Sequence, residues 1–322
     1  MDVVPYAPEW LPALTRLARA HACLVPPSYS LSEGNVVAGL ERHSFWPFYS
    51  AGLASAQTLV VVEGNDLLAA AQAGFVAHGW GYGAAWGDGP EWLFEPHVSL
   101  LWLLCWPGDR RASEAAAQLA ARVVGWVRGE GLPGVEAFRG GPGFLPFGTQ
   151  LSSRWLHLWE PLRAAGFRQP RALLVYSGET DPEALPATDP PPGLSFRERR
   201  GRLEAWLDGA AAGVSVARQL ELDEPEEPSR TDSDKPKDEE PAQNAASPPA
   251  WAVLRRLVVD EALRGQGIGS ALLAEQLRRL DRRGIARYLL HVPDAPEELP
   301  ARCLYAKFGA LLDRQYVLRV SF

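Results

Sequence analysis

The 322-residue chain has three cysteines, Cys23, Cys105 and Cys303, and they are scattered. No Cys-x-x-Cys pair and no cysteine/histidine cluster is present, which excludes a disulfide framework and a structural zinc centre and leaves no metal site to expect. Long apolar runs are missing as well: the longest, "VSLLWLLCW" at 98–106, is too short to cross a bilayer. The opening "MDVVPYAPEW" has neither the basic residues nor the apolar core of a secretory signal. The expectation is a cytoplasmic protein with reduced thiols and no membrane contact.

A basic excess is also absent. The formal net charge is -7, and residues 219–250 hold ten acidic and three basic residues, which leaves twenty-nine of each sign elsewhere. With no basic field, nucleic acid is not expected as a partner. The stretch itself, "QLELDEPEEPSRTDSDKPKDEEPAQNAASPPA", is polar and proline-rich and buries too little apolar surface to offset its ordering entropy. It reads as a disordered, solvated loop over about 222–248, the alternative being an acidic arm for a basic partner.

What is present is apolar content of 47% in a chain long enough for two domains. Two halves follow the same plan on either side of "GETDPEALPATDPPPG" at 178–193. Arg264 opens a helical pattern that stops at Gly284, and Arg111 opens one that stops at Gly131, the same spacing of twenty. After each come a short apolar stretch ("VEAF"; "IARYLLHV"), a second helix ("LRAAGF"; "LYAKFGA") and a last strand ("ALLVYS"; "QYVLRV"). The boundaries read as 1–178, a linker at 179–192, and 193–322, each domain a mixed α/β (α+β) sheet. Hairpins precede both repeats, turning at "EGND" and at Asp208-Gly209. The first half has two helical patterns ahead of its hairpin; the second half has no room for them.

Between the strand "LRRLVVD" and the helix after it stand Gly265, Gly267 and Gly269. Each glycine costs roughly 0.5–1 kcal/mol relative to alanine inside a helix. A helix start offers unpaired amides and the positive end of a dipole, and glycine lets a bulky anion approach that backbone. The plainer alternative is that the turn needs glycine to bend. The pattern is neither the GxGxxG of dinucleotide folds nor a P-loop, since no Gly-Lys-Ser/Thr follows. In the first half the positions aligned by the twenty-residue spacing are Ala112, Glu114 and Ala116. The same turn is therefore expected there without glycine, with Glu114 standing where an anion would lie.

Val259 to Leu273 resembles the acetyl-CoA loop of the GNAT (Gcn5-related) N-acetyltransferases, Val-x-x-x-x-Arg-Gly-x-Gly-Ile-Gly-x-x-Leu-Leu, almost letter for letter. The resemblance implies two tandem GNAT-like acyl-CoA N-acyltransferase domains, the first degenerate. It implies that the backbone of Leu257, Val258 and Val259 pairs with pantetheine, and that Arg264, Gly265, Gln266, Gly267, Ile268, Gly269 and Ser270 hold the pyrophosphate of acetyl-CoA, a cosubstrate. "ARCLYAKFGA" is similar to the family's second-helix motif and implies Tyr305 as general acid to the departing thiolate; where the family has asparagine three residues before Ala301, this chain has Glu298. Tyr305 is otherwise an aromatic packing residue.

No motif marks a general base. His291, ending "RYLLHV", titrates near neutral pH and is one candidate, or else a satisfied core residue; Glu204 and Asp208 are weaker ones. Cys303 has no readable partner histidine and reads as a small buried hydrophobe. Trp80, Tyr82, Trp86 and Trp92 could line an acceptor groove or pack a loop. The family's two early helices wall the acceptor site, and the second half lacks them, so its groove is expected to be covered by the first domain or open to a larger substrate. Two functions follow: transfer of acetyl from acetyl-CoA to a primary amine of a small molecule or peptide by direct attack, carried by the second domain, or a non-catalytic CoA-binding scaffold.

Overall fold

The computed structural model describes residues 1–25, 31–42, 53–76, 96–138, 150–199, 202–220 and 250–322. The acidic stretch and the aromatic segment that contains Trp80, Tyr82, Trp86 and Trp92 lie outside them. The described chain divides into two compact units, 1–173 with 313–322, and 174–312.

In the first unit, β1 (Asp2–Pro5), β2 (Leu53–Glu63), β3 (Asp66–Val76), β4 (His97–Cys105), β5 (Gly134–Ala137) and β13 (Ala310–Ser321) lie side by side in that order, and β6 (Leu151–Ser152) pairs with β13. Helices α1 (Leu11–Ala22) and α2 (Glu33–Arg42) precede the hairpin, as the two early helical patterns predict. Gln72 of β3 donates from Nε2 to the Leu40 carbonyl of α2 at 3.1 Å, which ties α2 to one sheet face. After β4 comes α3 (Arg110–Gly129), whose apolar positions Ala112, Ala116, Leu119, Val123 and Val127 recur at helical spacing and are buried. The unit continues through α4 (Trp159–Ala164) to β7 (Arg168–Glu179).

In the second unit, β7 from Leu174 onward is followed across the sheet by β12 (Ile285–Pro293), β11 (Ala250–Val259), β10 (Ala210–Leu220), β9 (Arg202–Leu207) and β8 (Leu194–Arg199). Asp208 and Gly209 have φ of 49° and 86°, as a tight two-residue hairpin turn between β9 and β10 requires. Arg199 pairs with Arg202, so β8 leads straight into β9 and no helix intervenes. Helices α5 (Ile268–Asp281) and α6 (Leu299–Phe308) bury Leu273, Leu277, Tyr305 and Phe308 in one core with Leu254, Tyr288 and Leu290.

Both expected strand–helix–strand–helix–strand series are present: β4-α3-β5-α4-β7 and β11-α5-β12-α6-β13. The boundaries at 178 and 193 follow chain order, whereas the compact units trade their last strands. Leu174 and Tyr176 of β7 pack in the second unit's core, and Asp313–Ser321 of β13 pairs in the first unit. Glycine makes the β7 packing possible, because a Cβ at Gly178 would lie 2.7 Å from the Phe308 carbonyl oxygen and one at Gly309 would collide with the Ser177 carbonyl. The proline-rich stretch is also more than a spacer. Thr180 is fully buried and donates to the Ile285 carbonyl at 2.5 Å, and Leu185 packs on the second unit's core.

Leu220 of β10 is a direct cross-strand partner of Trp251 of β11, so the ends flanking the acidic stretch are neighbours. Replacing Pro225 to Ser247 with a short Gly/Ser linker shortens the connection about threefold, a change in closure entropy of about 1 kcal/mol. The expected result is a melting temperature within about 2 °C of the parent and unchanged acetyl-CoA affinity by calorimetry. A loss of either would mean that the stretch packs on the domain.

Candidate active site

Strands β11 and β12 run parallel and are paired from Ala250↔Ile285 to Leu254↔Leu290, where the pairing ends. Beyond it β11 stays bonded to β10 as far as Val259↔Gly213, so a wedge opens beside residues 255–259 of β11. Burial changes at the same point: residues 251–254 are buried, whereas 255–259 are half-buried or exposed and Val258 is 39% exposed. Leu257, Val258 and Val259 therefore border the wedge.

At the end of β11, Asp260 accepts from the Ala262 amide at 3.0 Å and turns the chain into the loop 264–267, all exposed. Gly265 and Gly267 both have φ of 81°, a conformation that costs an L-residue about 1–2 kcal/mol. Two of the three glycines are thus required by the bend, whatever the loop binds. Gly269 is different: a Cβ there would make only ordinary contacts, 3.5 Å to Leu304 and 3.6 Å to Val259. Gly267 caps α5 without any side-chain hydrogen bond, so the first amides of the helix, from Ile268 to Ser270, have no cap from that residue. Ile268 itself is buried with Leu272 in the core, which leaves its backbone for a ligand. Arg264 is exposed and donates from Nε to the Val259 carbonyl at 3.4 Å. Gln266 is exposed beside it.

The first unit differs at each of these points. Its helix α3 begins at Arg110, and the Asp109 carboxylate accepts from the amides of Arg111 and Ala112 at 2.8 and 3.4 Å. A fixed carboxylate occupies the place that the second unit leaves open to an anion. The glycine-free turn expected over 112–116 does not exist: those positions lie in the first turns of a longer helix, and Glu114 pairs with Arg110 at 2.9 Å. Strand β4 is buried along its whole length, and where its pairing with β5 ends, at Leu100↔Ala137, Trp102 and Phe138 are fully buried. The Trp102 indole turns toward β3 and donates to Gln72 Oε1 at 3.1 Å.

Tyr305 sits on α6 with its ring packed edge-on to Tyr176 at 6.2 Å between centroids and is 7% exposed. Among the described residues its hydroxyl has no hydrogen-bond partner. Burial pushes the phenol up to about 12, and the Glu298 charge adds to that. His291 is the first residue of β12 beyond the last pair with β11. Its Nε2 is shut off from solvent without a hydrogen bond, and burial holds the imidazole down at about 4. The ring is neutral at pH 7 and able to accept a proton, though it holds one weakly. Leu290 points into the core beneath α5 and α6, so strand alternation turns His291 to the opposite face. Tyr305 and His291 thus lie on opposite faces of the sheet.

Cys303 is exposed, contrary to the expectation of a buried hydrophobe, because α6 turns that position to solvent. Among the described residues no group of three metal-ligating side chains exists, and no helix is long and apolar enough to cross a membrane. One contact has no sequence signal: a Cβ at Gly267 would lie 3.1 Å from the Asp189 carbonyl oxygen, so the proline-rich stretch passes against the loop. Backbone carbonyls are common to every residue, and composition could not single this one out.

Residues 236–309, which include β11, the glycine loop, α5, β12 and α6, match the family model described as the acetyltransferase (GNAT) domain. The fold of the whole chain is similar to that of a tandem GNAT protein from the clavulanic acid biosynthesis pathway, solved without AcCoA, at 17% identity and TM-score 0.59, covering 99% of this chain and 98% of that one. A GCN5-related N-acetyltransferase from Sphaerobacter thermophilus is similar at 16% identity and TM-score 0.58, over 99% and 95%. The GCN5-related glucosamine N-acetyltransferase region of a fungal multi-domain GH3 beta-N-acetylglucosaminidase follows at 13% and 0.60, over 99% of this chain and 38% of that one. No curated protein matches the sequence. The fold of the chain is that of tandem GNAT proteins. Within that fold, the GNAT acetyltransferase domain match falls in the second half of the chain, at residues 236–309.

Proposed function

We propose that the C-terminal copy transfers an acetyl group from acetyl-CoA to a primary amine by direct attack, and that the N-terminal copy, residues 1–178 in chain order, binds no cofactor. The observation that carries this reading is the contrast between the copies. In the second copy β11 becomes exposed at Val258 next to a helix start without a side-chain cap, while in the first copy β4 is buried along its whole length and the helix start is capped by Asp109.

The amides of Ile268, Gly269 and Ser270, with the Arg264 guanidinium, hold the pyrophosphate. The edge of β11 at Leu257 to Val259 hydrogen-bonds the pantetheine arm and lays the thioester in the wedge. His291 takes the proton released as the amine nitrogen bonds to the carbonyl carbon. Tyr305 gives its proton to the sulfur as the C–S bond breaks. The scaffold alternative needs neither side chain. The acceptor is a small-molecule or peptide amine, and the setting is the cytoplasm.

The test is free-thiol release from acetyl-CoA over a panel of amines, peptides and aminoglycosides, with acetyl-CoA affinity measured in parallel by calorimetry. Turnover with at least one amine is the expected result. Micromolar acetyl-CoA binding with no transfer to any acceptor would favour the scaffold.

A further inference from the structure

In the first unit, α2 is tied to the face of its sheet through Gln72. Among the described residues the second unit has no equivalent helices, and the sheet face that looks away from α5 and α6 is exposed along β8, β9 and the end of β11, although it is buried nearer His291. Cross-strand register defines what lines it. Val258, Val214, Glu204 and Arg197 form one row across β11, β10, β9 and β8. The next row holds Arg256 on β11, paired with Val216, and Arg199 paired with Arg202. On the far face, Leu203, Ala205 and Leu257 pack with Ile268 and Leu272 of α5, which confirms the alternation.

All four arginines of the open face are exposed. Among the described residues none forms an ion pair, and Arg197 lies over the Trp206 ring at 4.9 Å. One carboxylate, Glu204, stands among them. Such a surplus of unpaired guanidinium groups, beginning at Arg256 beside the wedge and about 7 Å along β11 from Val258, suits an anion rather than a second cation.

We infer that this face is the acceptor-binding surface and that the acceptor is an amine bearing an anionic group, a carboxylate or a phosphate, held by Arg202 and Arg256 while its nitrogen reaches the wedge. This inference rests on the acetyl-transfer reading and adds the acceptor's chemical class to it. Glu204, in the same cross-strand row as Val258, receives the ammonium end.

Matched amines decide the matter: glucosamine against glucosamine 6-phosphate, and phenethylamine against phenylalanine, with the two pairs separating phosphate from carboxylate. One anionic member is expected to exceed its neutral partner at least tenfold in kcat/KM, as charge-assisted contacts to arginine allow. In the double variant Arg202→Gln, Arg256→Gln the preference is expected to fall below about threefold, with acetyl-CoA affinity and melting temperature unchanged. Equal use of both members of each pair, or a preference that survives the double variant, would overturn the inference. Should none of the four amines turn over, their equilibrium binding to the CoA-saturated protein gives the same comparison with the same two outcomes. Failure of acetyl-CoA to bind would instead refute the acetyl-transfer reading, and amine binding to the unliganded protein would still decide the role of the arginines.

Discussion

Tyr305→Phe is expected to lower kcat by about 10²- to 10⁴-fold and to leave the acetyl-CoA dissociation constant where it was. The ring stays: its edge-on packing against Tyr176 does not involve the hydroxyl, and no hydrogen bond among the described residues is lost with it. Melting temperature should therefore hold. Burial and the Glu298 charge both raise this phenol, to about 12, so the proton remains in place throughout the neutral and mildly alkaline range. A donor that holds its proton so firmly acts late, when the C–S bond is nearly broken and the charge on sulfur is greatest. The pH profile provides a second measurement. If Tyr305 is the acid, kcat of the parent has no falling limb near pH 10, where an exposed tyrosine would ionise. Full activity in Tyr305→Phe would return the residue to a packing role.

The second large effect concerns Gly267. Two variants separate backbone strain from charge. Gly267→Ala and Gly267→Glu share the unfavourable φ of 81° and the 3.1 Å approach of a Cβ to the Asp189 carbonyl. Both should lose about 1–2 kcal/mol and melt a few degrees below the parent. Only the glutamate brings a negative charge to the amides of α5. At about 5 Å and an effective dielectric of about 20, that charge opposes each pyrophosphate charge by about 3 kcal/mol. Acetyl-CoA binding should therefore weaken modestly in the alanine variant and by more than about 100-fold in the glutamate variant, measured by calorimetry. Similar affinities in the two variants would mean that the loop does not hold the anion.

Much of this site was legible in one dimension. The Arg-Gly-x-Gly-x-Gly run, the apolar strand before it, the tyrosine on the following helix and the absence of two helices from the second half are local patterns, and local patterns survive in sequence. The turn at Asp208-Gly209 was legible for the same reason, since only certain residues tolerate its φ values. Where the reading went astray, the cause was alignment across space. A constant spacing of twenty put Glu114 opposite Gly267, but α3 begins at Arg110 while α5 begins at Ile268, so the two helix starts fall out of step although their ends agree. The residue that caps the helix start of the first copy is Asp109, whose carboxylate accepts from amides of the first turn.

The sequence by itself determined the composition of each secondary-structure element, the tandem order, the neutrality of everything outside the acidic stretch, and which copy keeps the glycine loop. These follow from periodicity, turn chemistry and charge, all of which act within a few residues. Only the tertiary structure decided which unit each last strand joins. β7 enters the second unit's core through Leu174 and Tyr176, and β13 completes the first unit's sheet. Strand pairing depends on backbone groups that every residue carries, and on close approaches such as Gly178 against Phe308 that no local pattern announces. The wedge belongs to the same category. It exists because β11 and β12 part company after Leu254 and Leu290, and a register that ends there is a property of two strands together, not of either one.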